Sequence, residues 1–226
     1  MNDGFVSAGD SVSPAGVLAG GLDRSNLKGI AVLGSHPATV DSAPFADDGW
    51  LIYVCSPHNI EHRTLPRWDQ WFEVHIPVAH PTRSWQYLRG LEDQVNEKVA
   101  RGDKPIVWMR DKETIPYFPC ARLYPDASMR GTKKIHKTGA VDYAPGKFHR
   151  SQFKSSIAFM LAKAIKDCET YNIPQIGLWG ILQASKSEFE NQRPSTQYFL
   201  ETAAERGIKV YVSAESQLFH DDAELF

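Results

Sequence analysis

Paired cysteines, membrane spans, internal repeats and a lopsided charge are all missing from this sequence, and each absence removes a class of function. The three cysteines, Cys55, Cys120 and Cys168, are odd in number and show no CxxC spacing, which argues against a disulfide scaffold and for a reducing compartment with buried thiols. No cluster of residues has the spacing of a metal site. With 25 Lys and Arg against 27 Asp and Glu the formal charge is only −2, so the overall field says little about partners. No apolar run approaches the roughly 18 residues of a membrane span, and the opening MNDGFVSAGDSVSPAGVLAGG lacks the basic start of a secretory signal, so a cytoplasmic location is expected. There is no GxGxxG and no P-loop. Without a repeat or a composition break, the 226 residues are expected to form one domain over 28–226, preceded by a flexible amino-terminal arm over 1–27 that is rich in Gly, Ser, Ala and Asp.

What is present is strongest between Phe153 and Gly180. Ile157, Met160, Leu161, Ala164, Ile165 and Cys168 recur at three- and four-residue steps, the stripe of a helix packed on a sheet, and Lys154, Lys163, Lys166 and Asp167 are assigned to the opposite side. Pro174 ends that pattern, and Gln175 to Trp179 has the form of an interior strand opening at Gly180. A helix followed at once by a buried strand is half of a βαβ unit. In such units ligands sit at helix N-termini and strand carboxyl ends, which directs attention to Ser155 and Ser156.

Further strands are expected at Gly29–Leu33, Trp50–Cys55, Trp71–His75, Pro105–Met109 and Ile208–Val212, with helices from Arg83 to Arg101 and from about Ser187 to Gly207, the latter broken at Pro194. Ile115 to Pro125, with three prolines, reads as a packed irregular segment, and the Arg110-Asp111-Lys112-Glu113 cluster as a solvated loop without a role. The fold class that follows is α/β: a Rossmann-like, doubly wound, mainly parallel sheet of about six strands.

Several strand ends carry chemistry. Gly34, Ser35 and Thr39 follow the first strand, where a glycine lets backbone approach a phosphate; the alternative is a strand-to-helix turn with no ligand. Ser56 ends the second strand. His75 ends the third with Glu73 on the same face, either as a general base at a cleft or as a structural imidazole bonded to backbone. Glu188 and Gln192 are expected near the strand end at Gly180, Glu188 as a second catalytic candidate. The basic loop over 126–152, in which Lys147 and Arg150 lie closest to Ser155, has three readings: a lid over phosphates, a nucleic-acid contact, or a solvated loop.

These motifs resemble a known pattern. Gly34, Pro37 and Thr39; Ser155, Ser156, Met160, Ala164 and Ile165; Ile176, Leu178 and Gly180; and Gly207, Ile208, Val210, Ser216 and Leu218 match, in order, the short motifs of small bacterial sialyltransferases and of Rossmann-like families of the archaeal hydroxymethylpterin pyrophosphokinase type. Uncharacterised phage and prophage proteins look similar over the carboxyl half. Leu182 stands where those families carry an acid two residues after the strand glycine. The resemblance implies a nucleotide-dependent transferase with a nucleotide or nucleotide-sugar donor, its phosphate between the Gly34 turn and the Ser155 helix start, and a histidine as general base, His75 first and His149 second. The competing reading is a nucleotide-binding or nucleic-acid-associated protein without catalysis. Neither reading fixes a cofactor.

Overall fold

A computed structural model describes residues 26–56, 65–74, 81–110, 120–131, 134–135, 141–142, 147–181, 192–213, 216 and 218. In chain order its elements are β1 (Gly29–Leu33), α1 (Pro37–Val40), β2 (Trp50–Cys55), β3 (Gln70–Glu73), α2 (Pro81–Ala100), β4 (Ile106–Met109), β5 (Ala121–Leu123), α3 (Asp126–Met129), β6 (Arg130–Gly131), β7 (Lys134–Ile135), β8 (Val141–Asp142), β9 (Phe148–His149), α4 (Ser156–Tyr171), β10 (Gln175–Trp179), α5 (Arg193–Glu205) and β11 (Lys209–Val212). Seven strands form one sheet in the order β11-β10-β1-β2-β3-β4-β5, every neighbouring pair parallel. The short strands pair off separately, β6 with β9 and β7 with β8.

The strands explain themselves by burial. β1 and β3 are buried at every position and β2 and β10 at all but the first, as strands covered on both faces must be; β1 and β2 are continuous apolar runs, whereas β3 buries Gln70 and Glu73 as well. The edges differ: β5 exposes two of its three residues and β11 alternates. One face of the sheet packs against α4 and α5 through Ile30, Val32, Tyr53, Phe72 and Leu178. The other meets α2 and the β1–β3 connections through Leu33, Val54, Trp71, Val107, Leu91 and Val95. Helices on both faces of a parallel sheet make the domain doubly wound and Rossmann-like.

Three expectations need correction. The sheet has a seventh strand, β5, inside the segment read as irregular; three residues with only one covered face carry no periodic signal. Pro194 lies in the first turn of α5, where no N–H is required of it, and positions 187–191 of the expected helix lie outside the described residues. Val99, which follows Leu91 and Val95 at helical spacing and is expected to share their apolar face, is 49% exposed on the last turn of α2. Asp167, assigned to solvent, is buried.

That last correction reveals how α4 is fixed to the sheet. Tyr53 of β2 donates its hydroxyl to Asp167, Lys163 reaches the same carboxylate at 2.5 Å, Gln70 Nε2 donates to the Tyr53 hydroxyl at 3.0 Å, and Trp108 Nε1 donates to Gln70 at 2.6 Å. Burial, then the Asp167 charge and its hydrogen bond, hold the Tyr53 phenol far above its usual pKa, so it stays a donor. At either end α4 is closed by local chemistry: the Ser155 hydroxyl accepts from Ala158 N–H at 3.2 Å, and Asn172 adopts the left-handed conformation at φ 56° before Pro174. Because β10 follows within a few residues and runs parallel to the rest, the N-terminus of α4 lies at the carboxyl edge of the sheet.

Candidate functional site

The connections after β1, β2 and β3 pass to the α2 face, whereas the one after β10 passes to the α5 face. The change of direction falls between β1 and β10, adjacent in the sheet, and it is outside the carboxyl ends of such a strand pair that open α/β sheets bind ligands. Two backbones cross at this point. Gly34 N–H donates to Trp179 O at 2.8 Å, His36 N–H to Gly180 O at 2.9 Å, and Gly180 N–H to the buried Thr39 hydroxyl at 2.6 Å. A Cβ on Gly34 would stand 2.9 Å from the Gly180 carbonyl carbon, and one on Gly180 would stand 2.9 Å from that of Gly34. The absent side chain at 34 therefore makes room for Gly180, and the Gly34 and His36 N–H groups are spent inside the protein. Ser35, half-buried, is the residue of this turn set between those two bonded amides.

One and two strands along from β1, Ser56 donates to the Glu73 carboxylate, and both are buried at the carboxyl ends of β2 and β3. Burial, and then the charge of Glu73, push the neighbouring Cys55 thiol up to about 12, so it is an inert thiol. His75 and Glu188 lie outside the described residues.

The N-terminus of α4 carries a cluster that sequence reasoning passed over. Arg110, the residue after β4, places its guanidinium 4.8 Å from the ring centre of Phe159; Arg130 sits 5.8 Å from the same ring and 5.2 Å from that of Phe153. Both converge on Asp126 Oδ2, Arg130 by a hydrogen bond of 3.1 Å and Arg110 Nε at 3.7 Å. Tyr124 completes the wall, its hydroxyl donating to Phe159 O at 2.9 Å. Burial pulls the Arg110 pKa below its usual value, Asp126 opposes this, and the like charge of Arg130 adds to the lowering. Ser155 is spent as the cap of α4, while Ser156, half-buried, opens its first turn, whose leading N–H groups have no partner within the helix. One signal for Arg110 was available in the sequence, since it ends a strand as Ser56 does. Arg130 had none, because its aromatic partners come from another element.

The remaining expected residues are dispersed. Lys147 donates to Ala127 O at 2.8 Å, Arg150 is exposed on a single 3-10 turn over Arg150–Gln152, and His149 shares a short contact with Ser151 while its N–H donates to Tyr198 at 3.2 Å. Gln192 precedes α5, and its carbonyl accepts from Thr196 N–H at 3.1 Å. In that first turn Ser195 is buried with its hydroxyl unpartnered. Among the described residues no three His, Cys, Asp or Glu side chains come together as a metal site, and no helix is long and apolar enough to cross a membrane.

No protein-family model matches the chain, and no curated protein matches it. One solved structure it resembles is that of the sialyltransferase CstII from Campylobacter jejuni in complex with a substrate analogue, cytidine-5'-monophosphate. The two are 14% identical with a TM-score of 0.44, covering 82% of this chain and 79% of that chain. The likeness is too distant to carry a residue from one to the other.

Proposed function

We propose that this chain is a nucleotide-dependent transferase, of the glycosyl- or pyrophosphoryl-transfer type, that holds its donor along the carboxyl edge of the sheet between the Gly34–Gly180 crossing and the first turn of α4. The observation that carries this reading is the switch of connection direction between β1 and β10, with the N-termini of α4 and α5 facing the same edge. In this reading Ser35, Ser56, Ser155, Ser156 and Gln192 line the donor's path, Gly34 and Thr39 shape its floor, and Lys147 and Arg150 approach from the 126–152 segment. His75 is the proposed general base toward an acceptor hydroxyl and Glu188 its polar neighbour. Three unpaired cysteines support a reducing, cytoplasmic setting.

A thermal-shift series with nucleoside phosphates and nucleotide sugars tests it, since a ligand at 100 times its dissociation constant stabilises by about 2.7 kcal/mol. We expect at least one nucleotide to stabilise the protein and its sugar or pyrophosphoryl donor to be turned over. No shift with any nucleotide at millimolar concentration would sink the reading.

A second reading, a nucleic-acid-associated protein without catalysis, draws on the exposure of Arg150 and Lys154 in the segment leading into α4. It is distinguished by salt-sensitive binding to a single-stranded oligonucleotide together with no donor turnover.

A further inference from the structure

We propose that Arg110 and Arg130 form a subsite for an oxyanion group of a substrate, a phosphate or a carboxylate, and that Asp126 occupies it as a displaceable internal stand-in. The geometry that points to this is an imbalance. Two guanidinium groups meet a single carboxylate oxygen, at 3.1 and 3.7 Å, and only the shorter distance is a hydrogen bond. The Nε of each arginine is buried without a hydrogen-bond partner, and so is Asp126 Oδ1. Five donors per guanidinium and one shared acceptor leave the pair under-used.

Placement sharpens the argument. The ring of Phe159 backs both cations, and Phe153 backs Arg130, so the guanidinium planes are held in preset positions. The positive end of α4 begins two residues after Phe153, at the capping Ser155. Two cations and a helix N-terminus crowded together repel one another, and one carboxylate only partly offsets that repulsion. Were the cluster there merely to tie α3 to α4, one arginine on Asp126 would suffice. Asp126 itself is suited to leave: its side chain is 39% exposed and it belongs to the four-residue α3, whereas the arginine side chains are 22% and 18% exposed, enough to be reached and too little to be solvated freely. An incoming phosphate or carboxylate would take bidentate bonds from the preset forks, and Asp126 would turn to water.

The subsite lies at the end of β4, three strands from β1, which at about 4.8 Å per strand is roughly 14 Å from the Gly34–Gly180 crossing. The oxyanion therefore belongs either to the far end of a donor seated at that crossing or to a second substrate. The subsite does not depend on which of the two functional readings above is right.

Titration calorimetry at low salt with inorganic phosphate, pyrophosphate and acetate as probes tests the proposal. The wild-type chain is expected to bind at least one of them, and Arg110→Gln and Arg130→Gln are each expected to weaken that binding by about tenfold or more, the loss of a charged hydrogen bond. Arg122→Gln, at an exposed position on β5, serves as the charge control and is expected to leave it unchanged. Asp126→Asn keeps both arginines and removes the stand-in, so it is expected to tighten the anion by about threefold or more. Unaltered binding in both arginine variants, or weaker binding in Asp126→Asn, would overturn the subsite. So would no binding of any probe. Where the probe binds, competition with a nucleoside monophosphate assigns the oxyanion to the donor, and additive binding assigns it to a second substrate.

Discussion

Gly34 and Gly180 are each the reason the other is glycine: the carbonyl of one lies where the Cβ of its partner would be, at the point where the sheet changes direction. Gly34→Ala is therefore expected to cost on the order of 3 kcal/mol, because backbone and not a flexible side chain must move. Gly180→Ala adds about 1–2 kcal/mol for its φ of +66°. Gly102→Ala, at φ +84° with nothing near its missing Cβ, is expected to cost only that second amount. Urea midpoints of the three variants check this. Equal losses at Gly34 and Gly102 would mean that the crossing is looser than described.

Ser155 allows a cap to be separated from a ligand site. Ser155→Asp keeps a side-chain acceptor for Ala158 N–H and adds a charge that suits the helix end, so stability is expected to hold within about 0.5 kcal/mol. The same charge would repel a phosphate, so nucleotide-induced stabilisation is expected to fall sharply. Ser155→Ala, by contrast, is expected to cost about 1 kcal/mol of stability. A Ser155→Asp protein that binds nucleotide as well as wild type would separate α4 from the donor path.

The α4–β10 unit was legible in the sequence because every cue in it is local: the stripe from Ile157 to Cys168, the capping serine, and Pro174 before a buried run. Gly34, Ser56 and Gly180 were legible as strand ends for the same reason. Asp167 was misplaced because the group that draws it inward, Tyr53, is 114 residues away in the chain. The Arg110–Arg130 pair was invisible in the same way, since a charge beside a strand looks solvated until the rings of Phe153 and Phe159 are set against it. β5 failed for a different reason: an edge strand of three residues carries too short a pattern to register.

Removing the Tyr53 hydroxyl tests the buried network. Tyr53→Phe leaves Gln70 Nε2 without its acceptor and takes one of two donors from Asp167 Oδ2, which keeps Lys163, and a loss of about 1–3 kcal/mol is expected from the unsatisfied amide. Tyr53→Phe combined with Gln70→Leu is expected to lose less than the sum of the two single changes, which denaturation midpoints would check.

Glu169 gives a pH signature. Burial acts to raise its pKa, but hydrogen bonds from Lys166 and Arg206 outweigh that and hold it below the usual carboxylate value. A carboxylate depressed in the folded state contributes stability above its unfolded pKa and loses it as pH falls through the folded one. Glu169→Gln is thus expected to be less stable than wild type at pH 7, by under about 1 kcal/mol for a side chain 36% exposed, and to converge with it at pH 3. Urea midpoints that stay equally far apart at both pH values would refute the assignment.

His75→Gln separates a base from a structural imidazole. As a general base, His75 should give unchanged stability with turnover lost by about 100-fold or more. A large fall in the unfolding midpoint with a matching fall in activity would make the residue structural.

Asp167 stands twelve residues beyond Ser155 on α4, about 18 Å along the axis at 1.5 Å per residue. The bond from Tyr53 thus acts as a detent: it indexes the helix in rotation and in travel along the sheet, and the far end of the rod inherits that setting. A lesion at Tyr53 would then be felt at Ser155 and at the rings beneath the two arginines, as a shift in anion affinity from a residue that no anion touches.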